Sequence, residues 1–313
     1  MAKKRPISID AWSGMVLVDK PLGLSSQQLV TRVKRMSEAQ RAGHTGTLDP
    51  LASGLLPVCL NEGTKFASYL LAQDKQYIAT VQLGTITDTG DLAGTVLHTH
   101  TGKLASIEEI TALLPKFVGE QDQVPPRYAA IKFEGKKYYE YAREGIEIER
   151  PTRRITIFSI QLLSLENQHL TIEVHCSSGT YIRSLAEDIG EALGCGATLS
   201  ALRRTKIGHW DIQSALTLET ITPPLPGNEV LAPPDAWIPC DAMVGHLPAC
   251  AISTEEVRDL YLGKPLTDRD ETNGLYRLFH GMITPKSFVG LADIESKVLR
   301  SRRLLATVIP SLE

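Results

Sequence analysis

A chain of 313 residues with 42% hydrophobic and 22% charged residues has the make-up of a soluble globular protein, long enough for one large domain or a large one with a small companion. Lys plus Arg (33) nearly balance Asp plus Glu (36), and the formal charge of -3 excludes a protein that coats nucleic acid through bulk charge, though not one with a local basic face. No run approaches the ~18 uninterrupted apolar residues of a membrane span, and the basic start Met1 to Arg5 has no apolar core after it, so a cytoplasmic location is expected. Cys59, Cys176, Cys195, Cys240 and Cys250 are odd in number, widely spaced and never arranged as C-x-x-C, which argues against a disulfide framework or a structural zinc site. There is no G-x-x-x-x-G-K-[ST] and no H-E-x-x-H, and Gly194-Cys195-Gly196 has Leu199 where a dinucleotide loop needs its third glycine. The chemistry is therefore expected to use side chains alone, with no cofactor and no metal.

Charge is uneven along the chain: residues 1 to 50 carry eight Lys or Arg against four acids, a local +4 that leaves -7 for the remainder. Met15 to Val18 is a short apolar run closed by Asp19-Lys20-Pro21-Leu22-Gly23, which predicts a strand entering a turn. Ser25 and Ser26 can cap a helix with Leu29, Val30, Val33 and Met36 at helical spacing. Tyr77 to Leu83 alternates like a strand, Asp88-Thr89-Gly90-Asp91 has loop chemistry, and Ile107 to Val118 predicts a helix.

Between Gln121 and Arg154, Tyr128, Tyr138, Tyr139 and Tyr141 alternate with Arg127, Lys132, Lys136, Lys137 and Arg143. Aromatics that stack on bases beside cations that meet phosphates suit an RNA-contacting arm. On composition alone a solvated helix with a Tyr-rich inner face is the stronger reading. Ile155 to Leu165 and Leu170 to Cys176 predict paired strands, and Ser177-Ser178-Gly179 a turn before a helix from about Tyr181 to Leu193. Residues 223–250 are Pro-rich and are expected to form a wrapping linker. The last sixty or so residues, 251–313, show a short helix and several short apolar runs, the pattern of a small β-barrel packed on the main domain.

The stretch Ala42 to Phe66, AGHTGTLDPLASGLLPVCLNEGTKF, sets one acid, Asp49, among small, Gly-punctuated and apolar residues. Four glycines let the backbone approach a ligand, and such surroundings suit a carboxylate whose ionisation is set by burial and a partner cation. Physics alone favours a plainer reading, in which Asp49 caps a helix running from Pro50 to Leu56.

The same stretch resembles the signature of the TruB-type tRNA pseudouridine synthases, relatives of the Cbf5/dyskerin enzymes. Further matches follow in order: DKPLGLSS (Asp19 to Ser26), KQYIATVQLGTITDTGD (Lys75 to Asp91), QVPPRYAAIK (Gln123 to Lys132), SSGTYIRSLAEDIGEALGCGA (Ser177 to Ala197) and LRR (Leu202 to Arg204). The resemblance spans nearly the whole chain and reverses the ranking at Asp49. It implies that Asp49 is the nucleophile of uridine isomerisation, which an ionised carboxylate can carry out with no metal, redox carrier or energy source. It implies that Arg183 pairs with that acid, that Tyr77 stacks on the target base and helps remove the C5 proton, and that Tyr181 and Leu202 line the uracil pocket. His44 matches a residue of the RNA-facing loop that packs where the target nucleotide leaves its stack. Lys20 and Lys65 match basic or scaffold positions near the cleft and, with Arg127 and Lys132 of the arm, are candidate RNA contacts. Ala129 stands where the family arm often has Ser, and Ser25 where Thr often follows the KPxG turn. HTGTLDPLASG differs from the R-L-D motif of the ribosomal RNA branch and points to tRNA.

The implied fold is α+β: a catalytic domain over 1–222 with a mixed, largely antiparallel sheet and an arm at about 121–154, the linker 223–250, and a PUA-like RNA-binding barrel over 251–313. The implied activity is conversion of uridine 55 in the T loop of tRNA to pseudouridine by a monomer that needs no protein partner and no membrane. A tRNA-folding chaperone and a guide-dependent ribonucleoprotein enzyme are the rival readings; the chain lacks the extended basic tails expected of the latter.

Overall fold

The apolar run after Trp12 forms β1 (Gly14–Lys20), and Ser25 then caps α1 (Ser26–Met36) through a reciprocal pair of bonds with Gln28, as the serines and the helical spacing of Leu29, Val30 and Val33 predict. In this computed structural model the described residues are 12–129, 131–221 and 236–306. Next come β2 (Ala42–His44), β3 (Ala52–Leu60), the single-turn α2 (Ala67–Leu71), β4 (Lys75–Leu83), and a short hairpin of β5 (Thr85–Thr87) and β6 (Val96–Thr99). The helix expected over Ile107 to Val118 is α-helical only as α3 (Ile107–Leu113); Pro115, which has no amide hydrogen to give, turns the remainder into a tighter 3-10 turn. Then follow β7 (Gly119–Gln123), a minimal hairpin β8 (Lys132–Phe133) and β9 (Lys136–Lys137), α4 (Tyr138–Arg143), the long pair β10 (Arg153–Glu166) and β11 (His169–Cys176), α5 (Ile182–Ala192), β12 (Ala197–Ile207) and β13 (Trp210–Asp211).

One ten-stranded sheet organises the molecule, in the order β14-β1-β3-β12-β4-β11-β10-β7 with β2 on β3 and β13 on β12, where β14 is Trp237–Pro239. Every pairing is antiparallel except β3 with β12, so the sheet is mixed and largely antiparallel, as expected. Strands of this sheet read differently because their faces are buried differently. β1 and β3 are buried on both faces: Val16, Val18, Leu56 and Val58 join the core beneath α1 and α5, while Met15, Leu17, Leu55 and Cys59 join a second core on the opposite face. Their sequence is accordingly a continuous apolar run. β4 buries one face only, through Tyr77, Ala79, Val81 and Leu83, and therefore alternates. At Gly54 the backbone has φ +105°, and a Cβ there would stand 2.3 Å from the carbonyl oxygen of Arg204. Gly63 likewise lets β1 approach, with 2.0 Å from a Cβ to the Gly14 oxygen. At least two of the four glycines in the Ala42 to Phe66 stretch thus serve strand packing rather than a ligand.

Part of the expected linker, 223–235, lies outside the described residues. Beyond it the chain is not free: Trp237–Pro239 adds β14 to the sheet edge, a place where Pro239 costs no ladder bond. The C-terminal unit is β15 (Ala249–Ile252), α6 (Thr254–Tyr261), β16 (Gly274–His280), β17 (Phe288–Glu295) and β18 (Val298–Leu304), paired in the order β15-β16-β17-β18. It is an open four-stranded sheet among the described residues, not the closed barrel expected from its short apolar runs. Phe279, Phe288 and Leu291 press it onto the second core beside Phe66 and Leu70. Each such fully buried apolar side chain contributes roughly 1.5–3 kcal/mol, which lets so small a unit persist against the larger one.

Candidate active site

The acid-bearing loop is built by its neighbours. The Ser26 hydroxyl, buried at the head of α1, accepts from the Leu48 amide at 2.8 Å and donates to the Leu48 carbonyl at 2.9 Å, and the Gly23 amide donates to the Pro50 carbonyl at 2.9 Å. The DKPLGLSS segment is thus the loop's mould. The helix that residues alone favoured over Pro50 to Leu56 is absent: the Ala52 amide closes a turn on the Asp49 carbonyl, and Ala52 onward pairs with β1. Two-sided burial of Leu55, Leu56 and Val58 outweighs the Asp-Pro helix start. Among the described residues the Asp49 side chain caps no helix, and it is left for other work.

Asp49 opens onto a cleft of about 280 Å³ lined by Tyr77, Tyr181, Arg183, Leu202 and Arg204, with Lys75, Ala129 and Ile131 among its other walls. Arg183, on the first turn of α5, reaches Asp49 at 3.1 Å and Asp91 at 3.5 Å, and donates to the carbonyls of Thr89 (3.2 Å) and Tyr128 (3.0 Å). Its side chain is only 7% exposed, so one buried guanidinium stands between two carboxylates and pins the ITDTGD loop and the arm to the cleft. Burial raises the pKa of Asp49 from its ordinary value, the Arg183 charge opposes that rise, Asp91 adds to it, and Lys20 opposes it more weakly.

Tyr77 projects from β4 into the cleft and is 8% exposed. Burial pushes its phenol upward, while the charge of Arg204, directly across the β4–β12 pairing, draws it down. Leu202 sits on β12 between Ala52 and Ala79, and Tyr181 precedes α5 with its backbone locked to the Gln123 side-chain amide by bonds of 2.8 and 3.0 Å.

Asp49, Tyr77, Arg183, Tyr181 and Leu202 are therefore brought together, and the other candidates are not. Lys20 is fully buried, its ammonium donating to the Pro21 (3.0 Å) and Leu24 (2.7 Å) carbonyls; it shapes the turn under the loop and offers RNA no surface. Lys65 binds Glu62 at 2.7 Å and the Leu304 carbonyl at 2.6 Å, tying the C-terminal unit down. Both lysines are held by partners within the fold, as scaffold positions would be. His44 ends β2 outside the cleft lining; its Nδ1 is buried with no partner among the described residues, and burial followed by Arg204 lowers its pKa. Arg127 and Lys132 are exposed on the arm and do not line the cleft, although their neighbours Ala129 and Ile131 do. Tyr138 is buried beneath the arm, whereas Tyr139 lies under Lys137 and Arg143 at 5.3 and 5.4 Å.

Residues 34–182 match the TruB family pseudouridylate synthase (N terminal domain), and residues 183–224 the tRNA pseudouridylate synthase B C-terminal domain. The tRNA pseudouridine synthase B of Azoarcus sp. (strain BH72) is 45% identical over 94% of this chain and 95% of its own. That of Thiobacillus denitrificans is 43% identical over 95% of this chain and 97% of its own. The chain belongs to the TruB family. A crystal structure of the archaeal box H/ACA sRNP Nop10-Cbf5 complex superposes with a TM-score of 0.69 at 24% identity, over 99% of this chain and 92% of the other, and shows the fold to be that of the pseudouridine synthases.

Sequence reasoning on this TruB-family chain missed Asp91, Lys75 and Arg204. Asp91 stood in a stretch with loop chemistry, and Lys75 and Arg204 stood in matched motifs without a role of their own. Alternation offered a signal: Leu202 and Arg204 share a strand face, so the pocket leucine and the arginine two residues on point the same way.

Proposed function

We propose that this chain converts uridine 55 of the tRNA T loop to pseudouridine, with Asp49 as nucleophile. One observation carries the reading: Asp49's carboxylate is free of any capping duty, is held by a buried arginine, and faces a cleft walled by Tyr77, Tyr181 and Leu202. The reaction breaks the N1–C1' bond, forms a C5–C1' bond, removes a proton from C5 and leaves one on N1, so it balances without a co-reactant. A cleft with one carboxylate, a tyrosine and apolar walls suits a base that has been flipped out of its stack.

The domain layout follows the same reading. The catalytic part ends near 222, the arm at 121–154 positions RNA with Arg127 and Lys132 facing its phosphates, His44 packs beside the vacated stack, and the unit over 251–313 is a PUA-like RNA-binding module. The chain acts alone, as a cytoplasmic monomer. Tritium release from [5-³H]uridine in a T stem-loop transcript tests this. Wild-type protein releases the label from position 55, and Asp49→Asn loses at least about 10⁴-fold in rate, on the scale of other lost nucleophiles. Pseudouridine formed by the Asn variant at the wild-type rate overturns the assignment.

A further inference from the structure

Arg204 is 1% exposed, and no carboxylate lies within ion-pair distance of it among the described residues. A buried cation with no counter-ion is costly, on the order of several kcal/mol even after relaxation, so its other partners define its use. Nε donates to the Leu55 carbonyl at 2.8 Å and Nη2 donates to the Gly46 carbonyl at 3.2 Å, while the guanidinium charge lies beside the Tyr77 phenol on the wall of the cleft that both residues line. Gly46 lies three residues before Asp49, and Leu55 lies on the strand that follows it. Arg204 and Tyr77 are cross-strand partners in the β4–β12 pairing, so backbone register, not side-chain reach, sets them face to face.

We infer that Arg204 is a positioning residue for Tyr77: it holds the phenol oxygen on the uracil-facing wall and ties it to the loop that carries Asp49. The inference rests on the proposed function and deepens it. In that reaction Tyr77 gives its O–H proton to N1 as the electron pair of the broken N1–C1' bond comes to rest there. The phenolate then takes the C5 proton, and the C–H electron pair restores the ring double bond. Tyr77 ends as the phenol it began as, and between the two transfers its negative oxygen faces Arg204. The surrounding groups make that partner necessary. Burial, Cys176 on β11 and Asp49 on the loop all resist charge on the phenol, and Arg204 opposes them. The Lys75 ammonium, also near, is spent on the Leu71 and Gln73 carbonyls.

The test is a double-mutant cycle with Tyr77→Phe and Arg204→Gln, read as single-turnover rate on a T stem-loop transcript alongside RNA affinity and a thermal melt. Each single variant is expected to lose about 10²-fold in the maximal rate with RNA affinity changed less than about threefold, and the double variant to lose little more than Tyr77→Phe alone. If Arg204→Gln does not fold, the cycle is run with Arg204→Lys, which keeps the charge and loses the fork that spans the two carbonyls; the same non-additivity is expected. Losses that multiply, or a Tyr77→Phe variant with the wild-type rate, overturn the inference while leaving the proposed function standing on Asp49→Asn. An inactive wild-type chain overturns both.

Discussion

The cleft and the arm at 121–154 use the same residue types to opposite ends. In the cleft, Arg183 is 7% exposed and shared between Asp49 and Asp91, so its geometry is fixed from several sides. On the arm, Arg127 pairs with Glu147 and Lys136 with Glu144, with much of each side chain in water. Exposed pairs of that kind are worth at most about 1 kcal/mol and exchange readily, so under the proposed function the arm's cations can trade a carboxylate for a phosphate. Ion pairs in one region set a shape; in the other they fix little.

The sharpest way to break this contrast is Arg183→Met. It leaves Asp49 and Asp91 facing each other across an apolar side chain, and a loss on the order of 10³-fold in rate is expected, with about 3 kcal/mol of stability lost in a urea melt for the Asp91 side of the pair. An unchanged melt would show that the pair does not hold the cleft.

Next in size is the pH response of the proposed nucleophile. Burial lifts the Asp49 carboxyl above its ordinary range, so the reactive carboxylate forms as pH rises through that lifted value, and the rate should fall on the acid side of it. Asp91 contributes to the lift, and Asp91→Asn should move the acid limb to lower pH; a limb that stays put denies the coupling. Lys20 tests the scaffold beneath. Its ammonium is lowered to about 8 from an ordinary 10.5, so between these values the unfolded chain binds more protons and stability rises with pH. Lys75, also lowered to about 8, contributes in the same window, and Lys20→Met should flatten the rise without removing it in melts taken across the interval. The smallest effect belongs to the arm. Arg127→Ala should leave stability within about 0.5 kcal/mol and reduce the salt slope of RNA binding by about one, with the single-turnover rate at saturating RNA unchanged.

Much of the frame was legible because its strands and helices obey one period each. β4 alternates, α1 carries its own cap, and the β10–β11 pair is bounded by turn residues. What could not be read locally was decided by contacts far away in sequence. Pro50 to Leu56 has the local marks of a helix and becomes strand because β1 and β12 flank it on either side. Lys20 has the composition of a surface cation and is buried, because its hydrogens close a turn four residues long. The proposed nucleophile and the arginine and tyrosine beside it were reached through resemblance, since no local rule separates Asp49 from an ordinary capping aspartate. Asp91 and Arg204 escaped both routes, as their roles exist only once α5 and β12 have been laid beside β4.

The missing side chain at position 54 gives the site a hidden vulnerability. β3 and β12 meet there closely enough that the strand continuing from the Asp49 loop and the strand bearing Arg204 share one contact. An inherited change at that glycine would force the two strands apart and silence the enzyme, with every reacting group still present. A genetic screen would then score position 54 among the catalytic residues, although it is buried between strands.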